Sequence, residues 1–362
     1  DYSPYSGAGT CGHWLFEPQS TNLFTYSNDF SLWSLNNSAS ISSNVVMSPD
    51  GTQNADKFII GSDNVAPFIL QNRTVTNGTR YSQTIYAKAG DANILQMTGS
   101  TGFLTQFQNY NLLNGTLGNN NISSLTETSI QAVGNNWYRC VFTTSATETG
   151  AGCRIVIAIV SEGAGRLGGA GNVSNTGLYI FGAQLEQNSY ATSYIPTSGS
   201  TVTRNQEAAF GAGSSDLINS TEGVLYAEIA ALADDESFRE IALSDGTSNN
   251  RVELRFTNNS NGIQVAVRAI DGAVQTARQT SAYTITNFNK IAFKYKLNDF
   301  SFWVNGVKVA TATSGNTFSS NTLTELAFDD GNGNNDFFGK TKCVAVFKEA
   351  LTDDELECLT SD

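Results

Sequence analysis

The chain has 362 residues, 40% hydrophobic and 10% aromatic, which is enough apolar material for one large or two medium cores and excludes wholesale disorder. Its formal charge of −13 excludes a nucleic-acid backbone as ligand, since that needs clustered Lys and Arg, and makes anionic membranes poor partners. Only 15% of residues are charged; Asn, Ser, Thr and Gly fill the difference, a palette suited to short strands joined by many turns.

Residues 1–20, "DYSPYSGAGTCGHWLFEPQS", read as an N-terminal arm. Its Tyr5, Trp14 and Phe16 have no strand pattern of their own to bury them, so a partner surface is their expected home. The chain opens on Asp1 with no charged-then-apolar leader, as expected of a fragment or a processed product. No apolar run reaches transmembrane length, so no membrane insertion is expected. His13 is the only histidine and no GxSxG-like nucleophile accompanies it. A packed histidine is therefore expected and no catalytic residue is assigned.

Residues 21–197 carry period-two apolar runs between turn signals, the pattern of a β-sandwich. Strands are predicted around "ADKFII", "PFILQN", "YSQTIYAKAG", "NILQMTG", "FLTQFQNY", "WYRCVFTTSA", "CRIVIAIVSE" and "GLYIFGAQLEQ". Trp33 and Trp137 fall in apolar surroundings and are expected in the core. The five cysteines form no CxxC pair, which argues against a zinc or redox motif. Cys140 and Cys153 sit in two apolar runs; paired strands would bring them together, but buried thiols are the preferred reading.

Pro196 cannot donate a ladder bond, and the Ser, Thr and Gly that follow predict a linker over residues 198–221. Residues 222–362 then repeat the strand pattern in "GVLYAEIAAL", "REIALSDG", "NRVELRFTN", "GIQVAVRAI", "FNKIAFKYKL", "DFSFWVNGVKVATA", "LTELAFDDG" and "GKTKCVAVFK". Asn305-Gly306 between β-branched residues predicts a type I′ hairpin turn, and Trp303 in the preceding strand is expected in the core. The final "ALTDDELECLTSD" predicts a helix with Thr352 as N-cap, Glu355 completing a capping box, and Leu351, Leu356 and Leu359 packing back. The fold class expected is all-β: two tandem jelly-roll-type β-sandwiches with a short C-terminal helix.

Glycoside hydrolysis needs two carboxylates flanking a cleft. Glu228, Glu253 and Glu325 stand singly in separate strands, "DDESFRE" reads as a charged loop, and outward-facing, non-catalytic positions are expected. "DDGNGNND" offers oxygen donors from Asp330, Asn332, Asn334 and Asp336. That composition suits Ca²⁺, the one cofactor the residues suggest, with an ordinary Asn/Gly turn as the preferred reading. A sugar site needs an aromatic plate with planar polar groups. Phe238, Phe337 and Phe338, with Asn332 and Asn334, are the candidates on the loops of the second sandwich. Arg255 and Arg278 are candidates for a charged glycan, against plain solvation.

"NLFTYSNDFSLWS", "SPDGTQNADKF", "WYRCVFTTSA" and "GAQLEQNSYATSYIPTSGSTVTR" together resemble a module of bacteriophage tail and head fibre proteins. The second half, with "FNKIAFKYKLNDFSFWVNGVKV" and "ALTDDELECLTS", resembles laminin-G and concanavalin A-like lectin domains. The resemblance implies a carbohydrate-binding-module-like sandwich followed by a lectin-like one. It implies a virion surface appendage, extracellular when released. Such a protein would assemble with further copies and other virion proteins and present glycan-binding surfaces for host attachment. The alternative is a free-standing carbohydrate-binding or polysaccharide-degrading, glucanase-like protein.

Overall fold

The computed structural model describes residues 12–61, 66–123, 126–169, 175–209, 211–269 and 272–361. They are all-β apart from a 3₁₀ turn at Phe30–Leu32 and one helix, Asp353–Thr360. The described chain divides into two compact units, one of residues 19–205 and one of residues 12–18 with 206–361.

The first unit is a sandwich of two six-stranded antiparallel sheets. One runs Thr126–Ala132, Trp137–Ser145, Arg80–Lys88, Gly177–Glu186, Ala55–Ile59, Ser40–Val46; the other runs Thr116–Asn120, Phe107–Asn111, Ile94–Gly99, Ile155–Ile159, Phe68–Leu70, Ser34–Asn36. Alternate residues such as Ile85, Cys140, Phe142 and Ile180 meet Leu95, Met97, Ile155 and Ile157 in one core, as a period-two pattern requires. Trp33 and Trp137 are buried. Cys140 and Cys153 are buried free thiols. Cys11 lies outside the described residues.

The run from Ala183 to Arg204 closes this unit. Asn22 donates from Nδ2 to the carbonyls of Ala183 at 3.2 Å and Ile195 at 2.8 Å. The buried Glu186 carboxylate accepts from Ser20 Oγ at 2.5 Å and the Thr192 amide at 3.0 Å. Val202–Arg204 pairs antiparallel with Ser20–Asn22. Ser198, by a bridge to Tyr26, and residues 202–204, by this ladder, are therefore bound into the first unit, where a linker had been expected from residue 198. The Ser/Thr-rich composition marks an edge strand here.

The second unit packs a six-stranded sheet on a five-stranded one. The first is ordered Trp14–Phe16, Gly339–Phe347, Glu222–Ala231, Asn289–Lys296, Phe300–Val304, Val307–Ala312. The second is ordered Ala273–Thr280, Ile263–Ala269, Arg251–Phe256, Arg239–Ser244, Glu325–Ala327. Leu225, Ile229, Phe293 and Phe302 from one sheet meet Ile241, Leu243, Leu254 and Val265 from the other. Asn305 and Gly306 both have positive φ, 49° and 78°, as a type I′ turn demands. The helix carries the full capping box of Thr352 and Glu355. Its Leu356, with Leu351 and Leu359, covers Trp303, Tyr226 and Val224 on the outer face of the six-stranded sheet.

The arm corrects one expectation. Trp14–Phe16 is an edge strand on Gly339–Phe347, and Phe16 stacks on Phe328 at 4.8 Å between ring centroids. The home of Phe16 is thus its own unit's core, reached by adding a strand, whereas Trp14 stays exposed at 66%. Tyr5 lies outside the described residues.

Candidate functional site

The two outer faces of the second unit differ in kind. The helix packs its apolar side on Val224, Tyr226, Ala292 and Trp303 of the six-stranded sheet, while the five-stranded sheet carries an ionic layer. The cause is local: in "RVELRF" the even positions Val252, Leu254 and Phe256 enter the core, which forces Arg251, Glu253 and Arg255 to the opposite face. The ladders set their neighbours. Glu253 faces Ala242 on one side and Ala266 on the other, and the row continues to Ala327 and Ala277. Arg255 lies opposite Glu240 and Gln264, and Arg251 opposite Ser244 and Arg268. Small alanines thus leave space around Glu253, and long side chains from the flanking rows fold into it.

The result is a network with Glu253 at its centre. Arg251 Nε donates to Glu253 Oε2 and to Glu240 Oε1, each at 2.8 Å. Arg268 donates to Glu253 from Nε at 2.9 Å and Nη2 at 3.4 Å. Arg255 Nε donates to Gln264 Oε1 at 2.9 Å, and its Nη1 stands 3.6 Å from Glu240 Oε2. Glu240 Oε2 is buried without a hydrogen bond. Both glutamates are fully buried, while the side chains of Arg255 and Arg268 stay 13% and 23% exposed.

Burial drives the proton affinity of Glu240 up, and the charge of Glu253 adds to the effect, raising its pKa to about 8. Glu253 feels the same burial, but the Arg268 hydrogen bond and the charges of Arg255 and Arg251 outweigh it and hold the pKa below the ordinary 4.5. One carboxyl of the pair keeps its proton near neutrality, and the layer carries surplus positive charge. The glutamates lie beneath the guanidiniums and neither is open to a glycosidic oxygen, so the pair is not set out as a hydrolytic acid and base.

The expectations for individual residues meet this layer at its edges. Glu253 does face outward from its strand, as expected, and it is fully buried there because Arg251 and Arg255 of its own strand and Arg268 of the next cover it. Glu240, where the charged run "DDESFRE" overlaps the strand predicted around "REIALSDG", belongs to the strand Arg239–Ser244. Glu228 pairs with Lys342 at 2.7 Å, and Glu325 accepts from Ser244 Oγ at 3.1 Å. Phe238 is 38% exposed, and the Arg255 guanidinium sits 4.8 Å from its ring centroid. Arg278 is committed elsewhere, donating to the carbonyls of Thr311 at 3.0 Å and Ala277 at 2.7 Å.

The Asp/Asn loop lies beside the same strand. Asn335 accepts from the Glu240 amide at 2.9 Å, and a Cβ on Gly331 would fall 2.6 Å from Ser244 Cβ. Asp330 is buried and accepts from the amides of Asn332 at 3.0 Å and Asn334 at 3.1 Å. Its carboxylate therefore organises the turn. Asn332 and Asn334 are exposed and Asp336 half-buried, with burial and the charge of Asp329 raising the pKa of Asp336. Among the described residues no group of three or more His, Cys, Asp or Glu is arranged to hold a metal. Phe337 is a correction: at 2% exposure it is part of the core, against Phe328 and Phe256, and no ligand at the surface reaches it. Phe338 is half-buried.

Residues 220–357 match the sequence model of the concanavalin A-like lectin/glucanases superfamily. No curated protein matches the chain. Similar solved structures include the CBM40 module of Ruminococcus gnavus IT-sialidase bound to alpha2,3 sialyllactose. It is 16% identical, covers 43% of this chain and 97% of its own, and has a TM-score of 0.35. Domains LG4-5 of the mouse laminin alpha1 chain are also similar, at 12% identity, 79% of this chain, 86% of their own and a TM-score of 0.28.

Proposed function

We propose that this chain is a non-catalytic glycan-binding protein displayed on an exposed surface, with the outer face of the five-stranded sheet as its saccharide platform. The observation that carries the reading is the contrast between the two outer faces of the second unit. One packs an apolar patch of Val224, Tyr226, Ala292 and Trp303 under a helix; the other is a hydrogen-bonding layer of Arg251, Arg255, Arg268 and Gln264, rimmed by Phe238. Guanidinium donors and amides suit sugar hydroxyls, and an exposed aromatic suits the apolar face of a pyranose. The superfamily match over this unit supports the reading.

The setting proposed is a virion appendage, supported by the resemblance of the first unit to phage fibre modules. Host cell-surface glycans would be the ligands, and other virion proteins and further copies of this chain the partners. Shallow single sites bind weakly, so several copies on one particle would supply avidity. The experiment is a glycan array probed with the full chain, once as purified and once multimerised on a scaffold. Retention of a defined subset of glycans, strengthened by multimerisation, is expected. An array that stays empty under both conditions would leave the chain a structural component only.

A further inference from the structure

We propose that the saccharide taken by this face carries a carboxylate, and that Arg268 and Arg255 are the residues that read it. The inference rests on the glycan-binding reading and specifies its ligand class. Three guanidiniums converge on two buried carboxyl groups, and the third carboxylate of the face, Glu325, is held at its edge by Ser244 Oγ, so the imbalance lies in the guanidinium donors. An ionic layer that served packing alone would balance its charges and donors, because buried unpaired donors and charges cost stability.

This layer does not balance. Arg268 uses Nε and Nη2 on Glu253, and its Nη1 has no hydrogen-bond partner among the described residues. Arg255 spends Nε and Nη2 on the one oxygen of Gln264 and leaves Nη1 at 3.6 Å from Glu240, beyond a good hydrogen bond. These are the two arginines of the layer with the most exposed side chains, Arg255 from Glu253's own strand and Arg268 from the neighbouring strand Ile263–Ala269. Glu253 acts here as a positioning residue: it fixes one edge of the Arg268 fork and leaves the other for a second carboxylate. Planar guanidinium matches planar carboxylate in a way an ammonium does not. Phe238, under Arg255, gives the sugar ring an apolar plate next to the anion site.

The test measures binding of the full chain by titration calorimetry to an oligosaccharide containing a uronic or other sugar acid. The same oligosaccharide with its carboxyl groups reduced to alcohols serves as the neutral partner. Reduction is expected to weaken binding by about tenfold or more, the loss of one charge-assisted hydrogen-bonded pair. Arg268→Lys, which keeps the charge but not the fork, should shrink the affinity ratio between the acidic and the reduced ligand several-fold, with unfolding monitored to verify the variant. Equal affinity for acidic and reduced forms would overturn the proposal while leaving glycan binding in place. Because that comparison uses the unaltered protein, it decides the matter even if Arg268→Lys fails to fold. Absence of binding to acidic and neutral saccharides alike, across the array as well, would remove the glycan-binding reading together with this one.

Discussion

Arg268 clasps the carboxylate of Glu253 from a neighbouring strand, through Nε at 2.9 Å and Nη2 at 3.4 Å. Two of the three arginines around that carboxylate, Arg251 and Arg255, lie on its own strand, two residues either side. One side chain, Glu253, thus meets all three arginines of the layer.

Removing Glu253 should therefore be costly. Glu253→Ala leaves three guanidiniums crowded over a row of alanines without their shared counter-ion, and loss of one partner from a buried ion pair costs about 3–5 kcal/mol. Chemical denaturation should show a loss of that order in the second unit's transition. A loss under about 1 kcal/mol would mean that water already solvates the arginines.

The pH dependence has a defined sign. The raised pKa of Glu240 means that the folded protein holds a proton there between pH 4.5 and about 8, where the unfolded chain has released it. Stability from this group falls as pH rises through that window and levels off above it. The depressed pKa of Glu253 acts oppositely: its stabilisation is present above pH 4.5 and is lost as pH falls below. Glu240→Gln mimics the protonated acid, so its melting temperature should change less than that of the parent between pH 5 and 8. Parallel curves for the two proteins would show that Glu240 titrates normally.

The Asp330 loop should behave as a turn. Asp330→Ala removes a buried acceptor for two backbone amides and should destabilise by about 1.5–3 kcal/mol, the range for hydrogen bonds to charged groups. The same loss is expected in calcium and in chelator. Stabilisation of the parent by calcium that disappears in the variant would instead identify a metal site there.

The thiols should separate by burial. Cys343 and Cys358 are exposed and should react with a disulfide reagent in the native protein. Cys140 is fully buried, and burial pushes its thiol well above the ordinary range, so it should react only on unfolding. Rapid native labelling of Cys140, located by mass spectrometry, would contradict the packing of the first core.

The central strands were legible because their alternation is dictated by a buried face: "WYRCVFTTSA" and "RVELRF" are strands where predicted. Ser40–Val46, Thr116–Asn120, Thr126–Ala132 and Ala273–Thr280 were missed because they lie at sheet edges, where both faces tolerate polar residues and the period-two signal fades. The candidate site was legible only at its rim. Phe238 and Arg255 were singled out separately, and nothing local said that a ladder joins the strand after Phe238 to the strand carrying Arg255. Glu253 was read as an outward-facing strand position, and its burial was not legible because Arg268, which helps cover it, comes from another strand. The available signal was the alternation of Arg251, Glu253 and Arg255, three charges on one strand face.

The central claim is that saccharide lies on the outer face of the five-stranded sheet. Hydrogen-exchange mass spectrometry of the full chain, with and without a glycan retained on the array, tests it most directly. The account predicts added protection in Arg239–Ser244, Arg251–Phe256 and Ile263–Ala269, with the first unit unchanged. Protection confined to residues 329–338, or falling in the first unit, would contradict it.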